Sequence, residues 1–217
     1  RFMGGGSSEP LPDNPKSMDA IMQLGASPQE ANQILNQVPM YWGDQPIVAA
    51  PAYVGAIIIF LAILALFLIK GKLKWWLVTG IMLSLLLSWG KNFSILTDFF
   101  IEYIPLYNKF RAVSSIQVLL ELLVPIAAIL GLQQFLFNTS LALEKKKKSL
   151  IYASGITAGI AVVFILFKAT LFDFSSPYDS YFIKDLGPDF VDAMQEDRMT
   201  LFTNDSLRSL VLVVLSA

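Results

Sequence analysis

Ser114, Gln117 and Glu121 recur at three- and four-residue intervals inside an otherwise apolar stretch. A helix there would gather them within roughly 60° of one another as a single polar stripe pointing inward. A carboxylate in a membrane-crossing helix is expensive, so Glu121 is expected to face a protein-lined cavity, pair with a cation or carry a proton. Pro125 withdraws a backbone donor close by, and a kink at that point would widen such a cavity. A structural hydrogen-bond cluster between helices fits the same three residues. Just upstream, Pro105 is followed by Tyr107, Asn108, Lys109 and Arg111, which read as a turn at a membrane surface. Anchoring among lipid headgroups is the plainest role for tyrosine and cations in that setting. The chain has no cysteine and no histidine, which removes disulfides, thiolate catalysis and the commonest general base and metal ligand. Any chemistry falls to carboxylates, cations, hydroxyls and amides.

The elements that would position these residues are apolar and long. Residues 52–69, 75–89, 113–137 and 150–172 form four stretches of membrane-crossing character, and a hydrocarbon core of about 30 Å needs roughly 20 helical residues. Hydrophobic residues make up 55% of the chain, charged residues only 15%, and the mean hydropathy is +0.59, a balance that sets it apart from soluble domains. The expected fold is therefore all-α, a polytopic transmembrane bundle with interfacial helices. Lys70, Lys72 and Lys74 follow the first stretch and Lys145 to Lys148 follow the third. The positive-inside bias makes loops 71–74 and 138–149 cytoplasmic, and segments 1–50, 91–112 and 173–206 extracytoplasmic. All acidic residues except Glu121 and Glu144 then lie on the outer side.

Within segment 1–50, Ser27-Pro28-Gln29-Glu30 has the pattern of a helix start, and Ala31, Ile34, Leu35 and Val38 continue it with helical spacing. Such a helix would lie in the interface or pack on the outer ends of the spans. The run Gly4-Gly5-Gly6-Ser7-Ser8 lacks the Lys-Ser/Thr of a phosphate loop and reads as a flexible loop. Tyr41-Trp42-Gly43-Asp44-Gln45-Pro46 suits the point where the chain bends into the membrane. Between the second and third stretches, residues 93–110 read as an interfacial or re-entrant helix ending at Pro105, with Asp98 and Glu102 on one face. Asp179, Asp185, Asp189, Asp192, Glu196 and Asp197 lack regular ligand spacing, so segment 173–206 is expected as a solvated acidic loop. No metal, cofactor or nucleic acid is expected. Lys168 is expected to snorkel to the surface. Residues 207–217 read as the start of a truncated span, and a first residue of Arg1 suggests sequence upstream.

Several of these segments resemble the bacterial YfhO family of large membrane proteins. The resemblance runs through Tyr41-Trp42-Gly43-Asp44-Gln45-Pro46, Pro51-Ala52-Tyr53-Val54-Gly55-Ala56, Gln195-Glu196-Asp197-Arg198 and Asp205-Ser206-Leu207-Arg208. Its most specific part is Ile104-Pro105-Leu106-Tyr107-Asn108-Lys109-Phe110-Arg111-Ala112. Family members are longer, so the chain would be an internal or C-terminal portion. The resemblance implies a GT-C-like glycosyltransferase of the bacterial inner membrane, drawing on a polyprenyl-phosphate-linked sugar at the outer face to modify cell-envelope polymers. It also implies that Tyr107, Lys109 and Arg111 hold the lipid phosphate, with Arg111 giving bidentate contacts and Lys109 a point charge. The catalytic carboxylate of such enzymes belongs to an earlier outer loop, and neither Asp44 nor Asp98 matches a catalytic motif. Membrane lipids and envelope proteins are the further partners expected. A transporter or flippase, or a structural subunit of an envelope complex, also accommodates the sequence.

Overall fold

In the computed structural model, residues 11–42, 54–109 and 113–217 are described, and every regular element among them is a helix. They are α1 (Lys16–Gln23), α2 (Pro28–Leu35), α3 (Ala56–Leu68), α4 (Lys72–Ser88), α5 (Ser94–Tyr103), α6 (Gln117–Phe137), α7 (Leu143–Leu171), α8 (Asp179–Leu186) and α9 (Pro188–Ser216). The chain divides into two units, residues 1–51 with 159–211 and residues 52–158 with 212–217.

In the second unit, small residues let helices approach closely. Lipid tails are as apolar as leucine, so helices in a membrane associate through packing rather than hydrophobic burial. Ala62 and Ala65 of α3 meet Val124, Ala127 and Ala128 of α6, with Leu77 of α4 closing the cluster. Gly131 marks the tightest approach: a Cβ there would lie 2.7 Å from the Ala65 Cβ and 2.9 Å from the Leu61 carbonyl oxygen. α6 runs unbroken past Pro125.

Among the described residues, α6 and α7 are long and apolar enough to cross a membrane; α4 with Gly90–Tyr103 would be a third span if this pair, bent by 113°, is counted as one. Hydropathy alone suggests four straight spans because it registers apolar content and not where helices stop. Ile69 is already extended and Gly71 sits at φ 84°, so α3 ends after 13 residues, about 20 Å of helix. The second stretch ends in the bend, where Thr97 donates its hydroxyl to the Gly90 carbonyl at 3.0 Å.

The first unit has a water-soluble style of core. Ser27 caps α2 by accepting from the Glu30 N–H, while Glu30 accepts from the Ser27 N–H at 2.8 Å, the reciprocal box that the sequence spacing suggests. The apolar side of α2 (Ala31 and Leu35) and the following Val38 pack with Ile21 of α1 against Phe190, Val191 and Met194 of α9. Burying each large side chain of this kind stabilises the fold by about 1.5–3 kcal/mol.

Segment 173–206 departs from the solvated loop expected of it. It folds into α8 and most of α9, and two of its carboxylates, Asp179 and Asp197, are buried. The other four acids named above remain exposed. The apolar run from Leu207 continues α9 without a break, so residues 207–216 extend a helix that begins at Pro188.

Candidate functional site

α5 ends at Tyr103 because Ile104 precedes proline and takes an extended backbone, φ −97° and ψ 118°. Leu106 then enters the left-handed region at φ 68°, a conformation that costs a non-glycine residue about 1–3 kcal/mol and recurs at functional turns. The Tyr107 N–H donates to the Ile104 carbonyl at 3.3 Å and the Lys109 N–H to the Leu106 carbonyl at 3.0 Å, closing a short 3-10 turn over Tyr107–Lys109.

Aromatic packing fixes this turn to α5. Phe100 meets Tyr107 edge-on with ring centroids 5.4 Å apart, and Phe99 lies 5.1 Å from Tyr103. Tyr107 is half-buried and Lys109 is exposed, so the turn pins its tyrosine and offers its lysine. Along α5 only Thr97 is buried; Ile95, Phe99 and Tyr103 are exposed beside Asp98 and Glu102. A helix with that surface suits a membrane interface, where rings enter the headgroup region and carboxylates stay wet. Arg111, Phe110 and Asp44 lie outside the described residues.

The polar stripe is arranged differently from its expected form. Residues 113–116 form a 3-10 turn, α6 starts at Gln117, and the side chain of Ser114 lies outside the described residues. Gln117 is half-buried, whereas Glu121 is exposed, flanked by Val118 and Leu122 at 64% and 55% exposure. Glu121 therefore lies off the face by which α6 packs on α3. The buried face of α6 is set by Val124, Ala127, Ala128 and Gly131, and Glu121 falls to one side of it.

A polar centre that motif reading misses lies in the first unit. The Arg198 side chain is fully buried and pairs bidentately with Asp179, Nη1 to Oδ2 at 2.8 Å and Nη2 to Oδ1 at 2.9 Å. It also donates to the carbonyls of Phe174, at 2.9 Å, and Pro39, at 3.2 Å, tying together the segments after α7 and after α2. Asp197 accepts from the N–H groups of Lys16 and Ser17 at 2.8 and 3.0 Å, which caps α1 from a position 180 residues away in sequence. Lys16 pairs with Glu196, whose hydrogen bond and charge raise the lysine pKa.

Trp42 packs among Phe172, Phe174 and Phe202, with centroid separations of 5.5, 5.0 and 6.3 Å. It is thus part of an aromatic cluster. Lys168 donates to the Thr203 hydroxyl at 2.7 Å. Apart from the buried Arg198 Nε, which has no hydrogen-bond partner among the described residues, these groups satisfy one another and read as architecture. Among the described residues, no three carboxylates gather as a metal would need. No family model, curated protein or solved structure matches the chain.

Proposed function

We propose that this chain is a multi-pass part of a GT-C-like glycosyltransferase in the bacterial inner membrane, and that its outer turn holds the phosphate of a polyprenyl-phosphate-linked sugar. The reading rests on the motif resemblance to the YfhO family and on one structural observation. The turn after Pro105 is braced by Phe100 against Tyr107 and by a left-handed Leu106, and it projects Lys109 from the end of an exposed, aromatic-rich helix. A braced turn keeps a cation in place for an anion, which lowers the ordering cost of binding. Arg111, two residues on, would add bidentate contacts to the same phosphate, and the pair would stabilise that phosphate as it leaves the sugar. No catalytic role is assigned to these residues, and carrier binding is the function proposed for them.

Binding of polyprenyl phosphate to detergent-purified protein tests this reading. Arg111→Ala and Lys109→Ala should each weaken it by about 1.5–3 kcal/mol, roughly 10- to 150-fold, without lowering the melting temperature. Arg111→Lys should also weaken binding, because lysine cannot replace a bidentate fork. Simple headgroup anchoring makes Arg111→Lys silent, and unchanged carrier affinity in all three variants would rule the phosphate site out.

A further inference from the structure

At the lysine-rich side of the second unit, a cavity of about 420 Å³ opens where α3 ends and α7 begins. Its walls are mostly apolar and aromatic: Phe67 and Tyr152 stand with ring centroids 5.9 Å apart, and Ala142 and the single hydroxyl residue Ser149 line the cavity with them. Lys145 and Lys148 line the same cavity, joined by one opposing carboxylate, Glu144, whose Oε2 is 4.0 Å from the Lys148 Nζ. The combination is that of a site for an amphiphile. A free inorganic anion would be held by a polar lining, whereas here cations meet an apolar wall large enough for a glycerol backbone and the first part of an acyl chain.

The position along the chain fixes the depth. Lys145 to Lys148 immediately precede the apolar run that begins at Leu150, so the cavity sits at the level of lipid headgroups on the side assigned to the cytoplasm. Basic pockets between membrane helices on that side take acidic headgroups. Lys146 and Lys147 belong to the same run but do not line the cavity, which separates a shaped site from a diffuse basic surface.

We propose that this cavity binds one anionic glycerophospholipid of the cytoplasmic leaflet, its phosphate between Lys145 and Lys148 and its glycerol and upper acyl segments against Phe67 and Tyr152. The site is separate from the outer turn and needs no sugar carrier.

The test is a titration of the full chain, purified in an uncharged detergent, with short-chain phosphatidylglycerol, short-chain phosphatidylcholine and inorganic phosphate, read as a saturable thermal shift. Phosphatidylglycerol should stabilise the protein saturably and the other two should not. Lys145→Gln with Lys148→Gln should weaken phosphatidylglycerol binding at least about tenfold more than Lys146→Gln with Lys147→Gln, since diffuse attraction is shared by all four lysines at about fivefold each. Glu144→Gln should tighten binding, and Ala142→Trp, which fills the cavity and leaves every charge in place, should abolish it. Equal losses in the two lysine pairs would overturn the proposal in favour of diffuse electrostatics. Equal stabilisation by phosphatidylcholine or by inorganic phosphate would overturn it as well, as would full binding by Ala142→Trp.

Discussion

Arg198 is the residue on which most of the first unit's polar order depends. Its guanidinium carries hydrogen bonds to Asp179, Phe174 and Pro39 in full burial, so removing one partner leaves an uncompensated charge in a low-dielectric site. Asp179→Ala should therefore destabilise the protein by about 3–5 kcal/mol in denaturant titration. Arg198→Lys should recover only part of the stability, because an ammonium cannot reach the two carboxylate oxygens and two carbonyls in a planar fork. Glu30 gives the pH-dependent counterpart. Its pKa is lowered by the hydrogen bond from the Ser27 backbone and then by the one from the Ser27 hydroxyl. A carboxylate with a folded pKa below its unfolded one stabilises above the unfolded value and loses that contribution as pH falls through the folded value. The Glu30 carboxyl should accordingly titrate below an ordinary glutamate in NMR, and Ser27→Ala, which removes the hydroxyl but keeps the backbone donor, should bring it only part of the way back.

At the scale of elements, the clearest prediction concerns the α3–α6 contact. Gly131→Ala would force a Cβ against Ala65 and the Leu61 carbonyl, none of which can yield as a side-chain tip does. Overpacking of that kind costs about 1–3 kcal/mol. Gly155→Ala, with nothing within 4 Å of the added methyl, should be neutral or stabilising by up to about 1 kcal/mol on helix propensity. Comparing the melting temperatures of the two variants checks both. The same elements mark what was legible in the sequence. The Ser27–Glu30 cap and the apolar character of α6 and α7 were readable because their signals are local: a four-residue pattern and a run of hydropathy. The 113° turn after α4 was not, since it depends on a 3-10 segment and on Thr97 reaching back to Gly90. Nor were the cap of α1 by Asp197 and the pairing of Arg198 with Asp179, which join residues 180 and 19 positions apart and leave no periodic trace. The acidic spacing of segment 173–206 suggested a solvated loop for the same reason. For the candidate site, the motif located the turn, but its bracing by Phe100 and the exposure of Glu121 came only from the packing of α5 and α6.

For the molecule as a whole, charge and hydropathy combine into one claim. Trp75 and Trp76 are exposed near the start of α4 and Trp89 at its end, with Lys74 set over the Trp75 ring at 5.6 Å, as expected where a helix of about 25 Å meets two aromatic interfaces. The positive-inside bias expects the lysine loops on the cytoplasmic side and the acidic segment containing α8 to be extracytoplasmic. Both the proposed carrier site at the outer turn and the proposed lipid cavity beside Lys145 presuppose that orientation. The absence of native cysteine allows a direct test. Thr139 and Asp185 are exposed, one in the loop between α6 and α7 and the other in α8. Each would be replaced singly by cysteine and treated in intact cells with a membrane-impermeant thiol reagent. The account predicts labelling of Asp185→Cys without permeabilisation and of Thr139→Cys only after it; labelling of Thr139→Cys from outside would contradict it.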